Sequence, residues 1–386
     1  MNNTKQRLVL AGIVSLSLLA TACGSDDEAT TNTDAAVATT EAVGAATTVA
    51  ADTTVAADTT MAPADLEAEL NASGATFPQA FYEEVIASFT DANGGVTINY
   101  GGGGSGKGRQ DLADQLVDWA GTDGVIKEED IAGFKGGEVL YFPTVVAPIT
   151  VSFNLGGVDS LQLSPATIAG IFQVEITNWN DPAIAAENPD VTLPDLAITV
   201  VHRSDSSGTT GNFTKFLEKS VGPDAGGIWK LGTDSTIEWD ASTQAGEGNS
   251  GVAQVVSSTD GAIGYVDLSD ATDAGLTFAA IQNKAGEFVE PTVEGASAAA
   301  EGAEIKDNLT YSAIWADGAD AYPITAQTWI IAYKVQPDAA KGEALKAFIN
   351  YILTDGQALA ADVNYAPLPE GLDAKAIAQL DMFEIG

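Results

Sequence analysis

LAITVVHRSDSSGTTGNFTKFL (196–217) carries a buried-strand pattern up to Arg203, then a turn rich in Ser, Gly and Thr, then the start of a helix. β-Branched residues crowd its first part, as a strand covered on both faces requires. GATFPQAFYEEV (74–85) and GGGGSGKGRQDLADQL (101–116) likewise open a helix through Gly, Ser or Thr. Around these segments the pattern alternates. GVTINY (95–100), TVVAPITVSFNL (144–155), GAIGYVDL (261–268) and YPITAQTWIIAYK (322–334) read as strands; GRQDLADQLVDWA (108–120), SPATIAGIFQ (164–173) and KGEALKAFINYILT (341–354) read as helices. The fold class is therefore α/β, with mostly parallel sheets. In such sheets ligands collect where strands end and helices begin.

A helix start leaves backbone N–H groups unpaired and carries partial positive charge, so it suits an anion. Gly lets the backbone come close to a ligand, and Ser or Thr adds hydroxyl donors with little bulk. Ser and Thr also cap helices without any ligand, so one such segment says little; three in one chain point to a site that wraps a small oxyanion. In RSDSSGTTG (203–211) a strand delivers Arg203, whose guanidinium can give two parallel hydrogen bonds, with Asp205 placed to orient it. Ser207, Gly208 and Thr209 follow as donors at the helix start. GGGGSGKG nearly matches the P-loop pattern, but Gly108 stands where a Ser or Thr would hold Mg²⁺, which makes nucleotide hydrolysis improbable and leaves a Gly-rich anion loop.

The chain has 386 residues and a formal net charge of −38. After Arg7 the next basic residue is Lys107, which excludes nucleic acid and a basic membrane-binding face as partners. Exposed charges beyond about 8 Å are screened at physiological salt, so a local cluster of donors can still hold an anion. The N-terminus reads as a secretion signal: Lys5 and Arg7, then an apolar run from Leu8 to Ala22 too short to span a bilayer. It ends at LATAC, whose Cys23 is the only cysteine, so residues 1–23 are read as a lipoprotein signal with Cys23 lipidated. Residues 24–65 are almost all Ala, Thr, Asp, Glu and Val, with no aromatic residue, and are read as a disordered tether.

The segments GATFP, GGGGS ending in Ser105, VDWAGTD (117–123), FPTVV (142–146), NWNDPAI (178–184), HRSDSSGTT (202–210), GAIGYV (261–266), AYPIT (321–325) and NYAPLP (364–369) occur in one order. In these the chain resembles the phosphate-binding proteins of bacterial phosphate ABC transporters, along nearly its whole mature length. The resemblance implies a two-lobed periplasmic-binding-protein-like fold with a ligand cleft and a two-crossover hinge near FPTVV and AYPIT. One lobe would comprise 66–146 and 324–386, the other 147–323. It further implies that Thr76, Phe77 (through its backbone N–H), Ser105, Asp123, Arg203, Ser207, Gly208 and Thr209 bind inorganic phosphate. The implied partners are a membrane permease and an ATPase, with a lipid anchor; no cofactor, metal or catalytic residue is implied. His202, the only histidine, is assigned no role.

Asp123 demands a physical reason, because a carboxylate beside an anion repels it. An ionised carboxylate only accepts hydrogen bonds. Phosphate at neutral pH keeps a proton to donate, whereas sulfate has none. An unpaired buried acceptor facing a second anion costs several kcal/mol, so Asp123 would reject sulfate. Two rival readings stay open here: a binder of another oxyanion such as sulfate, and an extracellular phosphatase using Ser105 or Ser207 as nucleophile. A single histidine and no evident general base weigh against the second.

Overall fold

The computed structural model describes residues 66–386. The expectations for the signal at 1–23, for Cys23 and for the tether at 24–65 lie outside the described residues. β1 (Ala68–Gly74), α1 (Gln79–Ala92), β2 (Val96–Gly103), α2 (Ser105–Ala113), β3 (Trp119–Thr122) and β4 (Val139–Phe153) come first. β5 (Gln162–Leu163), α3 (Pro165–Phe172), α4 (Pro182–Glu187), β6 (Thr199–Arg203), α5 (Gly208–Val221), β7 (Gln244–Gly246), α6 (Gly248–Ser258) and β8 (Ala262–Asp267) follow. After α7 (Leu268–Asp273) and β9 (Thr277–Phe278) come β10 (Ala280–Gln282), β11 (Phe288–Val289), α8 (Val293–Glu301), β12 (Thr325–Tyr333) and α9 (Ala339–Leu353).

The main sheet runs β2-β1-β3-β12-β4-β8-β6-β7, with β9 against β4. Its flanks are parallel, as βαβ units dictate: β1 pairs with β2 and β3, and β6 with β7 and β8. Its centre is not, which corrects the expectation of a mostly parallel sheet. β12 is antiparallel to β3 and β4, and β4 is antiparallel to β8 and β9. The reason is connectivity: β4 and β12 carry the chain across the middle of the molecule and are not returned by crossover helices.

β4 is the joint between the two halves of the sheet. Residues 139–148 pair with β12, and residues 149–153 pair with β8. All fifteen positions except Val139 are buried, matching the apolar, β-branched run that marks it in the sequence. Its two prolines stand where no ladder donor is needed. Pro143 lies at a register shift, and Pro148 at the change of partner. One buried cluster runs from Phe81 and Trp119 in the first half to Phe172 and Phe213 in the second.

The helix expected over 108–120 is shorter and differently placed. α2 ends at Ala113, Gln115 adopts a positive φ of 59°, and Trp119–Thr122 become β3. Leu112 and Trp119 sit at spacings that mimic a helical face, but Ala72↔Trp119 ladder pairing and the bond from Asp118 N–H to Asn71 O (2.7 Å) win the segment for the sheet.

Candidate functional site

Loops leaving the carboxyl ends of β1, β2, β3, β6 and β7 converge on one point, where helices α1, α2, α5 and α6 begin. α5 is held there by its core face. Phe213 lies 4.7 Å from Phe172 and stacks on Tyr265 at 4.5 Å, contacts that bury aromatic surface at about 1.5–3 kcal/mol per side chain. Ser207 caps α5 by accepting from Thr210 N–H at 3.1 Å. The first-turn N–H groups of Gly208 and Thr209 have no partner inside their helix.

Arg203 is buried at the end of β6. Its Nε donates to Asp205 Oδ1 at 2.8 Å and its Nη2 to Asp205 Oδ2 at 2.5 Å, a two-point grip that fixes the guanidinium plane. The remaining arm, Nη1, donates to Thr209 Oγ1 at 3.3 Å. Asp205 Oδ1 also accepts from Gly248 N–H at 3.1 Å, tying β6 to the start of α6.

Opposite lies the pair formed by Ser105, the first residue of α2, and Asp123, just after β3. Ser105 Oγ donates to Asp123 Oδ2 at 3.2 Å and accepts from the Asp123 N–H at 3.1 Å. Asp123 Oδ1 is buried without a hydrogen-bond partner. Burial lifts this carboxyl to about 6, opposed by the Thr328 and Ser105 hydroxyls and by the Arg203 and Arg109 charges. Gly208 seals the two sides together: a Cβ there would stand 2.4 Å from Ser105 Oγ and 2.5 Å from Asp123 Oδ2, so only Gly fits. Gly104 is constrained likewise, with a φ of 89° and Asp205 Oδ2 2.2 Å from where a Cβ would be.

Thr76 closes the third side. Its Oγ1 accepts from the Asn249 N–H at 3.2 Å and from Asn249 Nδ2 at 3.3 Å. Asn249 Nδ2 lies 3.3 Å from Thr209 Oγ1 as well, so one amide bridges the loop after β1 to the first turn of α5. Phe77 follows Thr76, with its ring packed edge-on to Tyr365 and its carbonyl accepting from Tyr365 Oη at 2.6 Å.

The structure thus brings Thr76, Ser105, Asp123, Arg203, Gly208 and Thr209 into one small, buried, polar space, with the Phe77 backbone beside Thr76. The Ser207 hydroxyl is spent on capping. His202 lies on the opposite face of β6, stacked on Trp239 at 5.1 Å and bonded to the Arg203 carbonyl at 2.9 Å. Lys107, the lysine of the P-loop near-match, pairs with Asp111 on its own helix. Asn249 was not anticipated, although GEGNSG (246–251) bears the same signal as the other three segments: a strand end, glycines and a helix start, with Gly248 at a φ of 69°.

A sequence profile of the PBP superfamily domain matches residues 30–356. The phosphate-binding protein PstS of Pasteurella multocida is 36% identical over 319 residues, spanning 80% of this chain and 89% of the relative. The chain belongs to the PBP superfamily and, within it, to the PstS family. A PstS protein of Methanocaldococcus jannaschii is 35% identical over 313 residues, covering 75% of this chain and 79% of the relative. Among solved structures, the high-affinity periplasmic phosphate-binding protein PfluDING, bound with phosphate, superposes with a TM-score of 0.68 at 22% identity over 81% of this chain and 94% of that one. A phosphate-bound, putative phosphate ABC transporter substrate-binding protein from Clostridium perfringens gives 0.58 at 18% identity, over 78% and 100%. The architecture is therefore the two-lobed periplasmic-binding-protein-like fold that the PstS resemblance implied.

Proposed function

We propose that this chain captures inorganic phosphate in the space between Asp123 and the first turn of α5 and delivers it to the permease and ATPase of a phosphate importer. The observation that carries the reading is a buried carboxylate, Asp123, set among donors. Monohydrogen phosphate presents oxygens to Arg203, to the hydroxyls and to the N–H groups of Phe77, Gly208 and Thr209, and keeps one P–O–H to donate to Asp123. Sulfate fills the same donors but leaves Asp123 facing it unpaired. A site built around such a partner discriminates by roughly 10⁴ or more. Thr76, Phe77, Ser105 and Asp123 would then belong to a lobe of 66–146 and 324–386, and Arg203, Ser207, Gly208 and Thr209 to a lobe of 147–323. A ligand that both lobes touch favours their closed arrangement by its differential affinity for it.

In this reading the chain is a receptor and not an enzyme: Ser207 is committed to its cap and Ser105 to Asp123. It works outside the cytoplasm, with residues 1–23 as an export signal and lipid on Cys23 holding it to the outer face of the cytoplasmic membrane. The deciding experiment is a calorimetric titration of the purified protein with phosphate and then sulfate at neutral pH, alongside a generic phosphate ester. Tight phosphate binding, no sulfate heat and no ester turnover are expected. Preference for sulfate, or steady ester hydrolysis, sinks the reading. For the anchor, an intact-mass increment on the exported protein should vanish in Cys23→Ser.

A further inference from the structure

A cavity of about 150 Å³, room for roughly five waters, lies against the binding space, and Asp123 and Gly208 are part of its wall. The rest of the wall includes Arg109 on α2, Lys127, Lys215 on α5, and Asp234. A larger cavity of about 570 Å³ shares Arg109 and Lys127 with it. The charges here run against the character of the molecule. In a chain of net −38, this wall gathers three cations against two carboxylates. Lys127 is engaged, donating to Asp234 Oδ2 at 2.6 Å. Arg109 donates to the Thr122 hydroxyl at 2.9 Å and feels the charges of Asp123, Asp130 and Asp234 from beyond ion-pair distance, whereas the charges acting on Lys215 are those of Lys219 and Lys306. A half-buried lysine set among like charges, as Lys215 is, is costly to keep without a use.

Resting on the phosphate reading, we propose that this cavity is the antechamber of the site, where Arg109 and Lys215 draw the anion in before it passes to Asp123 and the first turn of α5. The overall negative charge is screened beyond about 8 Å, so the last stretch of the approach is governed by what lines the path. Low-dielectric walls concentrate the field of the two cations there, which raises the rate of arrival without adding a bond in the final complex. The contribution is therefore kinetic and salt-dependent, unlike that of Arg203.

Stopped-flow mixing of the full chain with inorganic phosphate, followed by tryptophan fluorescence at low and at high salt, tests this. Lys215→Gln and the double variant Arg109→Gln/Lys215→Gln are compared with wild type and with Lys375→Gln, an exposed lysine that lines neither cavity. At low salt the double variant should associate at least about fivefold more slowly, and the deficit should shrink to within about twofold at high salt. Dissociation should change less, and Lys375→Gln should follow wild type. A double variant that associates as fast as wild type at low salt overturns the proposal, as does a deficit that high salt leaves intact. If the double variant does not fold, Lys215→Gln alone decides: a salt-sensitive slowing supports the antechamber and an unchanged rate refutes it. Absence of any saturable signal in wild type overturns the phosphate reading itself, and this proposal with it.

Discussion

Asp123→Asn removes one charge from a side chain that is 2% exposed while keeping its shape. Burial holds the folded carboxyl at about 6, against 3.8 for the free group. The folded protein therefore binds this proton more tightly than the unfolded chain does. The resulting stabilisation is complete below pH 3.8 and is lost as pH rises through 6. At about 1.4 kcal/mol per pH unit, the whole swing is about 3 kcal/mol. Asn has no such titration. Relative to wild type, the variant should thus gain about 2–3 kcal/mol between pH 4 and pH 8, whatever the fixed cost of seating an amide beside Ser105. Urea unfolding of both proteins in phosphate-free buffer across that range gives the difference directly. A difference that stays flat with pH refutes the account of a carboxylate kept against its preference for water. The ligand side follows from the same titration. About one wild-type molecule in a hundred carries the Asp123 proton at pH 8, and most do at pH 5. Sulfate needs a donor there, so its affinity for wild type should rise about 100-fold over that interval, while Asn binds sulfate equally well at every pH.

Asp205→Asn leaves the Arg203 guanidinium buried without a carboxylate and should cost on the order of 3 kcal/mol in denaturant unfolding; a loss under about 0.5 kcal/mol would show that the two-point grip is dispensable. Asn249→Ala strips donors from Thr76 and Thr209 at once and should weaken phosphate binding at least about tenfold by calorimetry, with a stability loss of about 1–3 kcal/mol. His202→Ala should leave phosphate affinity unchanged within about twofold, because the ring faces Trp239 and not the site; a larger drop in a titration would give His202 a part in binding. Lys107→Ala should also leave affinity unchanged, and a marked loss would revive the P-loop reading of its segment.

Most of the fold was legible because β4, β8 and β12 are buried on both faces, and because α2, α5 and α6 begin at Gly or Ser. β4, β6, β8 and β12 each announce themselves as apolar, β-branched runs. Two things were hidden. The antiparallel centre depends on which strand lies beside which, and no local pattern encodes that β12 slips between β3 and β4. The Leu112–Trp119 stretch satisfied a helical period while tertiary pairing claimed its end for β3. At the site, Thr76, Ser105, Arg203 and Thr209 stood in segments whose chemistry was visible. Asp123 was recognisable only through the motif around it, since the chain has dozens of other acidic residues that simply face solvent. Asn249 sat in an equally Gly-rich helix start, but a three-residue strand, β7, gave too faint a signal ahead of it.

The position of β12 also fixes an order of events during synthesis. Thr328 touches Thr122 across 206 positions of chain, so β3 and β4 lack the neighbour between them until the polypeptide is nearly finished. β1, α1, β2 and β3 emerge early and wait with an open edge, and pairings of such long range are slow to form. A nascent chain built this way keeps that edge open for most of its passage off the ribosome, and only the late arrival of β12 shuts the sheet.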